Sequence, residues 1–269
     1  EWTNGPATFG QLVDGQLYFN STSNAFKVTE KNIPGATWSS GGSLNTARRN
    51  SYGGAGIQTA ALMAGGQVGP TLQTVVEQYN GSAWTEVGDL NTGRGVLGGA
   101  GTQTAGLAFG GTPQGTVDET ETWNGSAWTE VSDMNEARQG LTGAGTQTAA
   151  LGIGGSPGSS PYITAKTEIW DGSSWTETAD LNTGRYGQGS DGTTTLALAF
   201  GGQPPNRALT ESWNGSSWTE VNDMTTARNA LGAAGTGTSA LAFGGYTSTD
   251  VANTEEFTAG LANFTITSS

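Results

Sequence analysis

The sequence predicts an all-β protein, a five-bladed β-propeller with four-stranded blades, preceded by a short β-hairpin segment. Three observations predict it. First, Trp38, Trp84, Trp128, Trp175 and Trp218 recur at spacings of 46, 44, 47 and 43 residues, and periods of this size mark repeat architectures. Second, each is followed ten residues later by an arginine (Arg48, Arg94, Arg138, Arg185, Arg228), and each arginine sixteen or seventeen residues later by a glycine pair (Gly65-Gly66, Gly110-Gly111, Gly154-Gly155, Gly201-Gly202, Gly244-Gly245). Third, β-prone runs alternate with turn chemistry inside each unit, and four strands per unit make a propeller blade.

In chain order, residues 1–35 lie outside the repeat. Gly15-Gln-Leu-Tyr-Phe-Asn20, a Ser/Thr/Asn turn and Ala25-Phe-Lys-Val28 predict a hairpin there, an attachment segment whose alternation puts Leu17 and Phe19 on one face. Residues 36–269 form the propeller. Residues 36–40, Ala-Thr-Trp-Ser-Ser, are a lone outer strand expected to complete the last blade and join the two ends; a competing closure uses Asn263-Phe-Thr-Ile-Thr267 as the last arm.

Each blade then opens with a run of small residues after its arginine, such as Gly98-Gly-Ala-Gly101 or Leu231-Gly-Ala-Ala-Gly235. Inner strands near a crowded axis need little side-chain volume, so a wide catalytic funnel is not expected. A second run closes at Gly-Gly, as in Thr104-Ala-Gly-Leu-Ala-Phe-Gly-Gly111. The two outer runs, such as Glu119-Thr-Glu-Thr-Trp123 and Ala127-Trp-Thr-Glu-Val131, flank Asn80-Gly81, Asn124-Gly125, Asp171-Gly172 or Asn214-Gly215. Asn-Gly and Asp-Gly are hairpin signals because both residues tolerate positive φ.

Composition excludes several functions. The 269 residues contain 45 Gly, no Cys and no His, and Lys+Arg 10 against Asp+Glu 23 gives a net charge of −13. Phosphate neutralisation needs clustered cations, so no nucleic-acid partner is expected. Without Cys or His there are no disulfides, no Cys or His metal ligands and no His base or Cys nucleophile. No apolar run is long enough to span a bilayer, so membrane insertion is not expected, and no signal peptide is recognisable.

Residues recurring in register solve the packing problem that every blade shares, whereas residues differing among blades are free to carry function. By that criterion the Trp pairs, such as Trp123/Trp128, pack between sheets. Each arginine is expected to make an ion pair or carbonyl contact within the blade, with Asp89, Asp133, Asp180 and Asp223 standing five residues before four of them. Asn20, Asn80, Asn124 and Asn214 match the N-glycosylation acceptor pattern, but turn chemistry already accounts for the last three. The loops after Gly-Gly behave differently, reading Gln67-Val-Gly-Pro-Thr-Leu, Thr112-Pro-Gln-Gly, Ser156-Pro-Gly-Ser-Ser-Pro-Tyr-Ile, Gln203-Pro-Pro-Asn-Arg and Tyr246-Thr-Ser-Thr-Asp. Variation collected on one rim is the pattern of a binding surface, with Tyr162, Gln203, Arg207, Tyr246 and Asp250 as candidate ligand contacts. No catalytic residue, metal site or cofactor is expected.

The apolar strand closed by Gly-Gly, the later aromatic (Tyr79, Trp123, Trp170, Trp213, Phe257), the Trp after it and the Arg opening the next blade resemble the Kelch repeat family over residues 36 to about 260. Only four residues separate aromatic and Trp, a tighter hairpin than that family implies, while the Gly-His and Trp-Asp marks of WD repeats are absent in register. Copper oxidases that share the Kelch ring need His and a Tyr-Cys link, which this chain lacks. The stretch from Gly15 to Val28 resembles hairpins of phage tail-fibre and other virion appendage proteins. These resemblances imply a non-enzymatic virion protein located at the virion surface or outside the cell, a tail-fibre, spike or capsid-decoration module. Its implied partners are capsid or tail proteins, or host-surface glycans, within a homo-oligomeric assembly. The alternative is a secreted bacterial carbohydrate-binding, lectin-like propeller.

Overall fold

The computed structural model describes residues 17–20, 25–28, 40–50, 55–112, 115–160 and 162–259, in two units, Glu1–Ser40 and Gly41–Ser269. In the first, β1 (Leu17–Asn20) pairs antiparallel with β2 (Ala25–Val28), the hairpin the sequence predicts, and the register sets Phe19 opposite Phe26. The second is the β-propeller.

Blade 1 comprises β3 (Ala55–Ile57), β4 (Ala60–Ala64), β7 (Val76–Tyr79) and β8 (Trp84–Glu86), with a small rim hairpin of β5 (Gln67–Val68) and β6 (Thr71–Leu72). Blade 2 is β9 (Gly98–Thr102), β10 (Ala105–Phe109), β11 (Thr120–Trp123) and β12 (Trp128–Glu130). Blade 3 is β13 (Thr142–Thr146), β14 (Ala149–Ile153), β15 (Thr167–Trp170) and β16 (Trp175–Glu177), and blade 4 is β17 (Gly189–Gly192), β18 (Ala197–Phe200), β19 (Thr210–Trp213) and β20 (Trp218–Glu220). Blade 5 has three strands among the described residues, β21 (Gly232–Thr236), β22 (Ser239–Phe243) and β23 (Thr254–Thr258). The closing strand expected at residues 36–40, Ser40 apart, and its competitor at 263–267 lie outside the described residues.

The outer hairpin is tight because Asn124 Oδ1 accepts from the Ser126 and Ala127 N–H groups and the glycine after Asn124 takes the positive φ that closes the turn. In blade 2 Gly125 takes φ +94°, and the register places Trp123 directly opposite Trp128, their rings 5.4 Å apart and tilted by 37°. Such offset aromatic pairs add to simple burial. Trp123, Trp170 and Trp213 are fully buried. An indole withdraws roughly 150–250 Å² from water, a gross gain on the order of 4–6 kcal/mol before ordering entropy.

Successive blades are welded by the same set of side chains. Leu107 and Phe109 of blade 2 pack with Met134, Leu141, Ala150, Trp170 and Trp175 of the next blade and its connection, and the Phe109 and Trp175 rings lie 4.9 Å apart. The outer indole also reaches back to the preceding blade. Trp175 Nε1–H donates to Thr120 Oγ1 at 3.0 Å and Trp218 Nε1–H to Thr167 Oγ1 at 3.1 Å. Blade 1 carries Val76 at that register, and the buried Trp128 Nε1–H is left without an acceptor among the described residues. Beside β23 the positions equivalent to this seam, including Phe200, Thr210, Met224, Ala242 and Phe257, line a cavity of about 120 Å³.

The arginines correct one expectation. Their charged partner is not the aspartate five residues upstream but a glutamate on the third strand of the blade each arginine opens. Arg94 Nη2 meets Glu121 Oε1 at 2.6 Å, Arg138 Nη2 meets Glu168 at 2.7 Å and Arg185 Nη1 meets Glu211 at 2.9 Å, with the arginines completely buried. Arg48–Glu77 at 2.6 Å and Arg228–Glu255 at 3.2 Å repeat the pair. The expected carbonyl contact is present, since Arg138 Nη1 also donates to the Gly154 and Lys166 carbonyls, each at 2.8 Å. The second oxygen of each glutamate is occupied by the incoming connection, Asn135 N–H and Nδ2–H at 2.7 and 2.8 Å in blade 3. Burial pulls the Arg94, Arg138 and Arg185 guanidinium groups below their ordinary range, and the adjacent glutamates oppose that shift. The aspartates instead hold main-chain or hydroxyl groups: Asp223 accepts from Thr210 N–H at 3.0 Å and Asp89 from Thr74 Oγ1–H at 3.0 Å.

The outer turn of blade 3 yields a pH prediction. Asp171 Oδ1 accepts from Ser173 Oγ–H, Ser174 N–H and Ser173 N–H at 2.7, 2.8 and 2.8 Å. These bonds, the Ser173 hydroxyl foremost, lower the carboxyl from 3.8 to about 2. A depressed folded value means that the carboxylate's contribution is complete above 3.8 and is lost as pH falls through about 2. An NMR titration of the Asp171 carboxyl carbon is expected to show its midpoint at about 2, well below the ordinary 3.8.

Candidate functional site

The inner strands surround an axial channel of about 580 Å³, lined by Ala55, Ala100, Ala144, Asp191 and Ala234 at one level. Small residues line most of it, as expected, while Ile57, Gln58, Leu62, Met63 and Trp84 add bulk on the blade 1 side, and the ring of alanines at that level has one polar departure. Asp191 stands where the other blades carry alanine, accepts Gly192 N–H at 2.6 Å, and is pushed up by burial.

At one end of the axis the chain enters each inner strand through a residue of positive φ: Asn50 (58°), Val96 (57°), Gly140 (63°), Gly187 (65°) and Ala230 (52°). Their main chains link blade to blade. Val96 N–H donates to the Asn50 carbonyl at 2.6 Å, Gly140 to Val96 at 2.8 Å, Gly187 to Gly140 at 2.8 Å and Ala230 to Gly187 at 2.7 Å. A β-branched residue in this region is a strained outlier, and strain of about 1–3 kcal/mol persists only where surroundings impose it. Val96→Gly is therefore expected to raise the unfolding free energy by about 1 kcal/mol, strain relief exceeding the roughly 0.4–1 kcal/mol of added chain entropy. Urea denaturation would measure it.

The variable loops stand around this end. Each is pinned at its root by a two-residue bridge between the residue after the arginine and the residue after Gly-Gly, namely Arg49–Gln67, Gly95–Thr112, Gln139–Ser156, Tyr186–Gln203 and Asn229–Tyr246. Between blades 2, 3 and 4 they enclose a cleft of about 510 Å³ lined by Val96, Gln139, Ser156, Tyr162, Tyr186 and Pro204, among others. That volume is typical of small-ligand sites, about 300–1,000 Å³. The Tyr186 ring lies over Gly140, where an added Cβ would come within 3.2 Å of it, so glycine gives the ring room and takes the positive φ without strain. Tyr162 is 68% exposed. Among the described residues, the Gln139 amide and the Tyr162 and Tyr186 hydroxyls have no partner. The cleft thus offers two aromatic rings and unengaged polar groups, and among the described residues no acidic or basic side chain lines it.

Of the five residues singled out in the sequence, Tyr162 lies in this cleft. Gln203 serves as a root, exchanging main-chain bonds with Tyr186 at 3.0 and 3.1 Å. Arg207 turns back on its own loop, Nη2–H donating to the Pro204 carbonyl at 3.0 Å, and so braces one wall of the cleft. Tyr246, 44% exposed, and Asp250 pair across the blade 5 loop, away from Tyr162. Asn206 fastens the blade 4 loop to that of blade 5, its Nδ2–H donating to the Tyr246 carbonyl at 3.2 Å and its Oδ1 accepting from Asn229 Nδ2–H at 2.6 Å. Sequence reasoning missed Tyr186 and Gln139 because they directly follow recurrent arginines. The signal was present, since that position varies among all five units: Arg49, Gly95, Gln139, Tyr186, Asn229.

The fold and cleft together define a five-bladed β-propeller carrying a concave aromatic site on one rim. No protein-family model matches the chain, and no curated protein matches it.

Proposed function

We propose that this chain is a non-enzymatic structural protein of a phage virion, a tail-fibre, spike or capsid-decoration module whose variable rim binds a host surface or a neighbouring subunit. The observation that carries this reading is where the repeat is broken. Arg–Glu pairs and paired aromatics recur from blade to blade, whereas loop length, aromatic exposure and polar content diverge on the rim, around the Tyr162–Tyr186 cleft. The Kelch-like spacing, the appendage-like hairpin of residues 15–28 and the acidic, cysteine-free composition support it. Mass spectrometry of gradient-purified particles tests it. Co-sedimentation at a fixed ratio to the major capsid protein is expected, and recovery only in the soluble fraction would overturn it.

The cleft itself favours a second reading, a secreted lectin-like propeller, because aromatic faces flanked by free amide and hydroxyl groups suit sugar rings. Glycan-array binding that disappears in Tyr162→Ala, by a protein never found on particles, would select it over the first.

A further inference from the structure

The four outer turns place one reactive arrangement at equivalent positions. Asn80, Asn124 and Asn214 are exposed and each precedes a glycine of φ +93° to +95°. In each turn the side-chain Oδ1 is held by three donors. Around Asn80 they are Ser82 N–H at 3.0 Å, Ser82 Oγ–H at 2.9 Å and Ala83 N–H at 3.0 Å. Around Asn124 they are Ser126 N–H at 2.9 Å, Ser126 Oγ–H at 2.8 Å and Ala127 N–H at 3.0 Å. Ser216 N–H, Ser216 Oγ–H and Ser217 N–H repeat this around Asn214, each at 2.9 Å, with Ser217 Oγ a more distant fourth at 3.5 Å. The N–H of the following glycine, Gly81, Gly125 or Gly215, donates to nothing among the described residues. Blade 3 has the same turn with Asp171, whose Oδ1 takes the same three donors.

We propose that Asn80 and Asn124, and more slowly Asn214, are sites of spontaneous deamidation, converting their turns to the aspartate form that blade 3 already carries. The glycine nitrogen loses its proton to solvent base and attacks the asparagine Cγ. Negative charge then develops on Oδ1, where three donors already wait, as in an oxyanion hole. The Cγ–Nδ2 bond breaks and ammonia leaves with a proton from water, giving a cyclic imide. Water adds at Cγ, the Cγ–N bond to glycine breaks, and the nitrogen regains its proton. One water enters and one ammonia departs, and each conversion adds one negative charge to the formal −13. The product oxygen accepts the three donors that Asp171 accepts, which favours the normal α-linked aspartate over the iso-linked one. The order follows from the leaving group: Nδ2–H of Asn214 is tied to Ser217 Oγ at 3.2 Å, whereas those of Asn80 and Asn124 have no partner among the described residues.

The test incubates the intact folded protein in heavy-oxygen water at mildly alkaline pH and follows peptides by mass spectrometry. Among the described asparagines label is expected first at Asn80 and Asn124, later at Asn214, and not at Asn45, Asn91, Asn135 or Asn182, which precede Thr or Glu and donate Nδ2–H to a glutamate. Retention of the amide at Asn80 and Asn124 over the period in which the urea-unfolded chain loses it, or loss at Asn214 first, would overturn the proposal. Ser82→Ala removes one Oδ1 donor from an exposed turn and is expected to slow Asn80 about tenfold, less than at a buried oxyanion hole, with Asn124 as the internal clock. An unchanged or faster rate at Asn80 would refute the role of the turn donors.

Discussion

Arg138→Met is expected to cost about 3–5 kcal/mol of unfolding free energy, the loss found when one member of a buried ion pair is removed. The methionine fills much of the volume, so the cost is electrostatic. Glu168, 1% exposed, would remain in the interior without its cation, and the guanidinium bonds to the Gly154 and Lys166 carbonyls would go unmade. Glu168→Gln is expected to cost less, because the amide oxygen still accepts from Asn135 N–H. Adding Glu168→Gln to Arg138→Met should recover part of the loss, giving a coupling of the size seen between residues in one network, about 0.5–3 kcal/mol. Lys166 is the contrasting case. Its head group is 36% exposed and lies 3.4 Å from Glu177, so Lys166→Ala should change stability by less than about 1 kcal/mol. Urea titrations of the four variants measure all of these values.

Val76→Thr is expected to stabilise the protein by about 1 kcal/mol, although placing a hydroxyl in a core ordinarily destabilises. The reason lies in the neighbouring blade: Trp128 Nε1–H is buried without an acceptor, and an unsatisfied buried donor costs about 1–3 kcal/mol. Thr120 and Thr167 show that a threonine at this register reaches the indole of the next blade at 3.0 and 3.1 Å. The reciprocal change, Thr120→Val, should orphan Trp175 Nε1–H and cost about 1–3 kcal/mol. Thermal unfolding of the two variants should therefore move in opposite directions. A loss in both would mean that Trp128 is satisfied by water.

Periodicity made the strands legible because every blade repeats one solution. The Trp–Trp register across an Asn-Gly turn, the Gly-Gly closure and the small inner residues follow from local chemistry, and all were predictable. The arginine partner was less accessible. Distance along the chain favoured the aspartate five residues away, but the guanidinium crosses the sheet to a glutamate some thirty residues on, where a buried carboxylate also ties down the incoming connection. The rim was partly legible. Loop variation located Tyr162 and the face it occupies, whereas Tyr186 and Gln139 reach the same cleft from the main-chain bridges that root neighbouring loops, a proximity that depends on how blades stand side by side.

Recurrent residues build the ring, and the divergent rim is the surface proposed to meet the partner. Photo-crosslinking tests this most directly. A photoreactive amino acid is placed at position 162 on the rim or at position 173 in the opposite outer turn, and each variant is irradiated within purified particles and after mixing with host cell envelopes. Capture of a capsid, tail or envelope component from position 162 and not from position 173 is the predicted result; capture from position 173 alone, or equally from both, would contradict it.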